Sequence, residues 1–269
     1  MSASRVLALL GKELLDLRGR PGIFVPGLLT GAIAIFLPIF VAVIVPAVTG
    51  ERLSASADMQ IALQLYRDQP WTRLLDPEAA IQSALFQQFL MLLVLSTVAA
   101  AMSLAAYSVI GEKQARSLEP LLATPLTTFE LLVAKVLGAF LPALALSLVC
   151  FAIDVAAAVL FARPGVFLVL LAPRSLGVLF LVGPMASLTA LILAVCVSSR
   201  VNDARSAQQL AALVVLPLTA LLVAQLTGGF VVTMPIILLI TAVLAAINAG
   251  LMRLGVALFD RETILTRWK

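Results

Sequence analysis

Residues 206–252 read SAQQLAALVVLPLTALLVAQLTGGFVVTMPIILLITAVLAAINAGLM, and no charged residue stands between Arg205 and Arg253. As one helix this run would extend about 70 Å at 1.5 Å per residue, far more than the roughly 30 Å of hydrocarbon in a bilayer. It therefore predicts two membrane crossings. Thr227-Gly228-Gly229 supplies the turn between them, and Pro235 suits the first turn of the second.

Outward from this stretch, the same reading counts four crossings upstream. Ile23 to Val48 lies in the charge-free interval between Arg20 and Glu51. The second lies between Glu78 and Glu112 and is most apolar near Leu90 to Ile110. The third runs from about Leu131 to Phe161, interrupted only by Asp154, and the fourth occupies the stretch between Arg174 and Arg200. Composition agrees: 62% of residues are hydrophobic, 12% are charged and the mean hydropathy is +1.12, against about 45–50% apolar and about 25% charged in a soluble domain. Water is not the main solvent of this chain, and disorder, collagen-like repeats and a disulfide-stapled module are excluded. With 6% aromatic residues and many Ala, Leu and Val, helical spans fit better than an aromatic-girdled barrel. The chain has no histidine, so a Ser–His–Asp triad, a His-ligated metal or a His proton relay cannot form within it. Cys150 and Cys196 lie in apolar runs and read as small core residues.

The expected fold is all-α: a polytopic membrane protein with six transmembrane helices in a single domain over residues 1–269. Six crossings put both termini on one side. That side, with the second-to-third and fourth-to-fifth connections, holds thirteen Lys and Arg against five on the other, so the positive-inside rule predicts cytoplasmic termini. The net charge of +4 is orientation signal, and no nucleic-acid partner is expected. Residues 50–80 become an extracytoplasmic connection, in which Asp76-Pro77-Glu78 reads as a cap followed by a first-turn proline. A helix from Pro77 to Ile110 would be about 51 Å long, so the second span is expected to project outward. Residues 1–21 are expected to form a cytoplasmic interfacial helix, with Val6, Leu10, Leu14 and Leu17 on one face and Lys12, Glu13, Asp16 and Arg20 on the others.

The most informative polar stretch is Gly111 to Lys135, GEKQARSLEPLLATPLTTFELLVAK. Gly111 can end the second helix as a left-handed cap, Pro120 and Pro125 break the chain, and Thr127 with Glu130 makes a capping box for the third span. Residues 111–130 thus predict a compact cytosolic elbow held by two spans, with Leu118, Leu121 and Leu122 available to pack beneath the membrane.

This stretch resembles the loop between the second and third spans of type-2 ATP-binding-cassette (ABC) transporter permeases, a Glu-Lys-x-x-x-x-Leu-Glu-x-Leu-Leu-x-Thr-Pro run followed by Glu-Leu-Leu-x-x-Lys. The matching residues are Glu112, Lys113, Leu118, Glu119, Leu121, Leu122, Thr124, Pro125, Glu130, Leu131, Leu132 and Lys135. Lys12-Glu13-Leu14, with Arg18 and Arg20 before the first span, is similar to the same family's opening. Pro120 departs from the usual apolar residue. The resemblance implies the permease subunit of an exporter in a bacterial or archaeal plasma (inner) membrane, paired with a second copy or a paralogue and docked through this elbow on a separate ATPase. Glu112, Lys113, Arg116, Leu118, Glu119, Leu122 and Pro125 are the expected coupling residues. ATP and Mg would be held by that partner, because the chain lacks a G-x-x-x-x-G-K-[ST] loop; no cofactor, metal or catalytic residue is expected here.

Arg200, Asp203 and Arg205, in a short basic connection, form a candidate second ATPase contact, with simple orientation by two arginines as the plainer reading. Asp154 is the acid within a span and costs about 2.5–3.5 kcal/mol at a helix centre. It is either a substrate or ion contact, or lies near enough to the outer interface, Arg163 or Arg174 to be solvated or paired. Pro26, Pro38 and Pro46 predict irregularity in the first span, and Gly27 with Gly31 allows close helix contact. Few intramembrane charges favour a hydrophobic or amphipathic cargo such as a lipid, drug or peptide, with sodium also open. The alternative class, an ion-coupled secondary transporter, would need coupling-ion sites and often shows internal repeats, and neither is found.

Overall fold

The computed structural model describes residues 3–19, 21–55, 75–114, 127–198, 209, 212–226 and 232–258. All regular structure among them is helical. Helix α1 is Ala3–Arg18; α2 (Val25–Ile39) and α3 (Val45–Thr49) form one rod through a π-turn at Phe40–Ile44. Helix α4 is Pro77–Gln114 and α5 is Thr128–Phe161; two short helices follow, α6 (Val166–Leu170) and α7 (Pro173–Gly177). A second π-turn, Val178–Val182, joins α7 to α8 (Gly183–Ser198), after which come α9 (Val215–Leu226) and α10 (Met234–Leu258).

Five of these rods are long and apolar enough to cross a membrane: Gly22–Thr49, Pro77–Tyr107, Phe129–Phe161, Pro173–Val197 and Met234–Val256. They coincide with the first, second, third, fourth and sixth expected crossings. At the expected fifth the described apolar helix is shorter, Ala212–Gln225, and the Thr227-Gly228-Gly229 turn lies outside the described residues.

The bundle is built around α4, whose most apolar window is 83% buried, whereas that of α10 is 6% buried. It packs against α2, α5, α8 and α9. Small side chains allow this on every side: Ala100, Ala101, Ala105 and Ala106 of α4 are all fully buried. By contrast α10 turns Leu238, Leu239, Val243 and Leu254 outward, as a helix facing lipid does. Gly27 and Gly31 are used inside the chain: a Cβ at Gly27 would come within 2.5 Å of the Ala100 Cβ, and one at Gly31 within 2.9 Å of the Cys150 Sγ. The pair lets the first rod press on the second and third.

Two local expectations are corrected. The second helix does not end at Gly111, because Glu112, Lys113 and Gln114 continue it; these are favourable helix residues, and one internal glycine costs only about 1 kcal/mol. The packed face of α1 is Val6, Leu9 and Glu13, with Leu10 and Leu17 half-buried and Leu14 exposed. Glu13 therefore sits on the face turned to the protein, against α5.

Candidate functional site

The third span begins as its sequence requires. The Thr127 side chain accepts from the Glu130 N–H at 3.2 Å, and the Glu130 carboxylate accepts from the Thr127 N–H at 3.0 Å, a complete capping box. Glu112 and Lys113 lie in the last turn of α4, with only their backbone described. Arg116, Leu118, Glu119, Leu122 and Pro125 lie outside the described residues, as do Arg200, Asp203 and Arg205.

Two turns into α5, the structure brings together a pair that sequence reasoning missed. Lys135 Nζ stands 3.0 Å from Glu13 Oε1, with the two side chains 0% and 7% exposed. Both charges are withdrawn from solvent, so each makes the other's burial tolerable. Gly138, one turn on, makes room for them: a Cβ there would come within 2.8 Å of the Glu13 Cβ. The pair and the glycine clasp α1 to the start of the third span, beside the segment expected to be the elbow.

At the opposite end of the bundle the polar residues belong to α4. Pro46 has no N–H, which leaves the Ala42 carbonyl, four residues back, without its usual helical partner. The preceding π-turn carries the Val45 N–H to the Phe40 carbonyl instead. Gln82 then fills the vacancy: its amide donates to the Ala42 carbonyl at 2.9 Å, while its Oε1 accepts the Arg163 N–H at 2.8 Å. One side chain thus ties the first rod to the loop after the third. The fourth rod repeats the device, with its π-turn at Val178–Val182 followed by Gly183-Pro184.

One turn further along α4, Gln87 and Gln88 reach the fourth and fifth segments. Gln88 donates to the Gln225 backbone carbonyl at 3.2 Å. Gln87 donates through Nε2 to Ser175 Oγ at 3.2 Å, and the Ser175 hydroxyl itself donates to the Val169 carbonyl at 2.8 Å. With its proton so committed, Ser175 can only accept from Gln87, which fixes the amide with Oε1 turned the other way. That oxygen and Gln225 Oε1 are buried without a hydrogen-bond partner among the described residues. Both residues line a narrow crevice with room for about one water molecule, whose wall also includes Arg174, Ser175, Met91 and Val178.

Asp154 is 4% exposed. Among the described residues no ion pair joins it to Arg163 or Arg174, and its Oδ1 has no hydrogen-bond partner. The reason is helical phase. Asp154 follows Cys150 by one turn on the face of α5 that meets Gly31 and the inner wall, whereas Arg163 lies past the helix end and is exposed. No group of three or more His, Cys, Asp or Glu suited to a metal occurs among the described residues.

Comparison with known proteins places residues 69–252, more than half of the chain, on the family model described as ABC-2 family transporter protein. No match was found among curated proteins.

Proposed function

The chain belongs to the ABC-2 family of transporter proteins, a multi-pass membrane permease, and on that premise we propose that it is the membrane subunit of an exporter driven by ATP hydrolysis on a separate ATPase. Permeases of this family work with ABC ATPase subunits. In this reading α9 belongs to a fifth crossing completed by its uncharged flanks, the chain crosses six times and both termini are cytoplasmic. A second copy or a paralogue completes the pathway. ATP and Mg remain on the ATPase.

The observation that supports coupling at residues 111–130 is the buried Glu13–Lys135 pair. It fastens the N-terminal helix to the third span just beyond the capping box, so a push delivered between α4 and α5 meets a braced structure. Glu119 would make charge-assisted contacts with the ATPase, flanked by Glu112, Lys113 and Arg116. Leu118 and Leu122 would fill an apolar groove, and Pro125 would hold the elbow's second bend. Arg200, Asp203 and Arg205 form the second contact. The cargo is hydrophobic or amphipathic, a lipid, drug or peptide, because most polar side chains along the spans are already hydrogen-bonded within the bundle. Asp154, buried and unpaired, is the residue to contact a cargo amine or a cation such as sodium, and it is also what an ion-coupled secondary transporter would use.

The test is ATPase activity co-purifying with the tagged chain from its native membrane. Wild type should carry an ATPase that Glu119→Arg and Leu122→Asp release or uncouple by about tenfold or more, the loss of about 1.4 kcal/mol of coupling. A wild-type chain that brings down no ATPase, even after crosslinking, while moving cargo down an ion gradient would replace this reading with the secondary transporter.

A further inference from the structure

Asp154 is buried with nothing to balance its charge. An isolated carboxylate withdrawn from water is far costlier than a buried hydroxyl or amide, and it is tolerated only by pairing, by binding a cation or by taking up a proton. Pairing is absent among the described residues: Oδ1 has no hydrogen-bond partner, and the elements packed on α5 bring no cation to it. The first rod, Gly22–Thr49, has no ionisable side chain, nor has α4 between Ala79 and Ala106, nor α6. Helix α1 meets α5 at Lys135 and Gly138, and Lys135 lies about 28 Å back along the helix at 1.5 Å per residue. Gly255 of α10 meets Leu132 and Cys196 of α8 at that same end, and Arg253 beside it is exposed. A bound cation fares no better. Hard cations take a shell of oxygen ligands, whereas the residue one turn back on this face is Cys150, against which a Cβ at Gly31 would come within 2.9 Å of Sγ.

We propose that Asp154 is a proton-binding site, whose side chain stands in the resting bundle as a neutral carboxylic acid. A proton needs no cavity, and it removes the charge without a partner. The inference rests on the membrane-embedded permease reading and deepens the role of Asp154 as a contact for a cargo amine or cation, but needs no ATP. It adds an order of events. The closed bundle holds the proton. When the pathway opens and water enters, the proton passes to water, and the carboxylate left behind receives the cationic group. Return of a proton to the same oxygen discharges that group and restores the neutral wall.

Infrared spectroscopy of the full chain in lipid nanodiscs at neutral pH, with co-purifying partners retained, tests this, because a protonated carboxyl has a C=O band apart from those of carboxylates. Wild type should show such a band, moving to lower frequency in heavy water. Asp154→Asn should lose it while keeping the carboxylate bands unchanged, and Leu239→Ala, on the outward face of α10, should keep it. Should Asp154→Asn fail to fold, wild type carrying aspartate isotope-labelled in its side-chain carboxyl carbon serves instead, and the protonated band must shift. Loss of carboxylate absorption in Asp154→Asn, with the protonated region unchanged, overturns the proposal, as does a band indifferent to the aspartate label. A chain that shows the Asp154 band yet carries no ATPase would sink the ATP-driven reading alone. One that carries the ATPase without the band would sink the proton site alone.

Discussion

Glu13 and Lys135 show how much one contact asks of its surroundings. Two opposite charges 3.0 Å apart attract strongly where water is excluded, but each loses its hydration, and the net gain over an apolar pair is small. The asymmetry appears on removing one partner. Lys135→Met leaves a buried carboxylate and should destabilise the protein by about 3–5 kcal/mol. Glu13→Gln together with Lys135→Met removes both charges and should recover most of that loss. Thermal unfolding in detergent micelles measures Glu13→Gln, Lys135→Met and the double variant, and a double variant as unstable as the sum of the two singles would rule out the pair as a unit. Both residues were legible as members of motifs, yet their partnership was not. A helical wheel sorts residues into faces but does not say which face meets protein. Glu13 and Lys12 are neighbours in sequence; one is buried against α5 while the other lies half-exposed beside Asp16 at 3.5 Å. The same limit hid the glutamines of α4. They stand in a segment expected to project outward, and only the packing of α5, α7 and α9 around it makes them interior.

At the scale of elements, prolines and π-turns organise the rods. Pro46 deprives Ala42 of a donor, and Gln82 restores it from a different helix. The first rod is thereby tied at a fixed height to α4, and through Gln82 Oε1 to Arg163. Gln82→Met should leave one buried carbonyl, at Ala42, and one partly exposed N–H, at Arg163, without these partners, and cost about 1–3 kcal/mol, most of it at Ala42. Pro46→Ala supplies the missing N–H, allowing the Ala42 carbonyl to be satisfied within the first rod. Gln82→Met should therefore be less damaging in that background than in wild type, by at least about 1 kcal/mol. Unfolding midpoints of the four proteins measure the difference; equal losses in both backgrounds would mean that Gln82 does not stand in for the proline. Irregularity in the first rod was readable from Pro26, Pro38 and Pro46. The place where it is repaired was not, because the repairing side chain lies 40 residues away. Element starts were more legible where chemistry is local: Thr127 and Glu130 fix the start of α5, and Pro77 opens α4. Gly111 misled because glycine permits a helix end without compelling one.

At the scale of the whole molecule, the number of crossings decides where everything else lies. The helix Ala212–Gln225 spans about 21 Å at 1.5 Å per residue, short of the roughly 30 Å of hydrocarbon. The missing length is available in residues 206–211 and 226–233, which carry no charge. A lone helix stopping partway would leave backbone carbonyls unsatisfied in lipid, whereas α9 is packed against α4. A full fifth crossing is therefore expected, and its consequence is a matter of parity. Between Glu51 and the C-terminus there are then five crossings, which places the two on opposite sides; without the fifth there are four, which places them together. Glu51→Cys should react with a membrane-impermeant maleimide applied to intact cells, since the native Cys150 and Cys196 are buried. Green fluorescent protein fused after Lys269 should fluoresce, as it does in the cytoplasm, and alkaline phosphatase fused there should stay inactive. Labelling of Glu51→Cys combined with an active phosphatase would reduce the count to five and move the C-terminus to the outer face. It would leave α9 as a re-entrant helix beside α4, with the sixth rod alone inverted relative to the ATPase side.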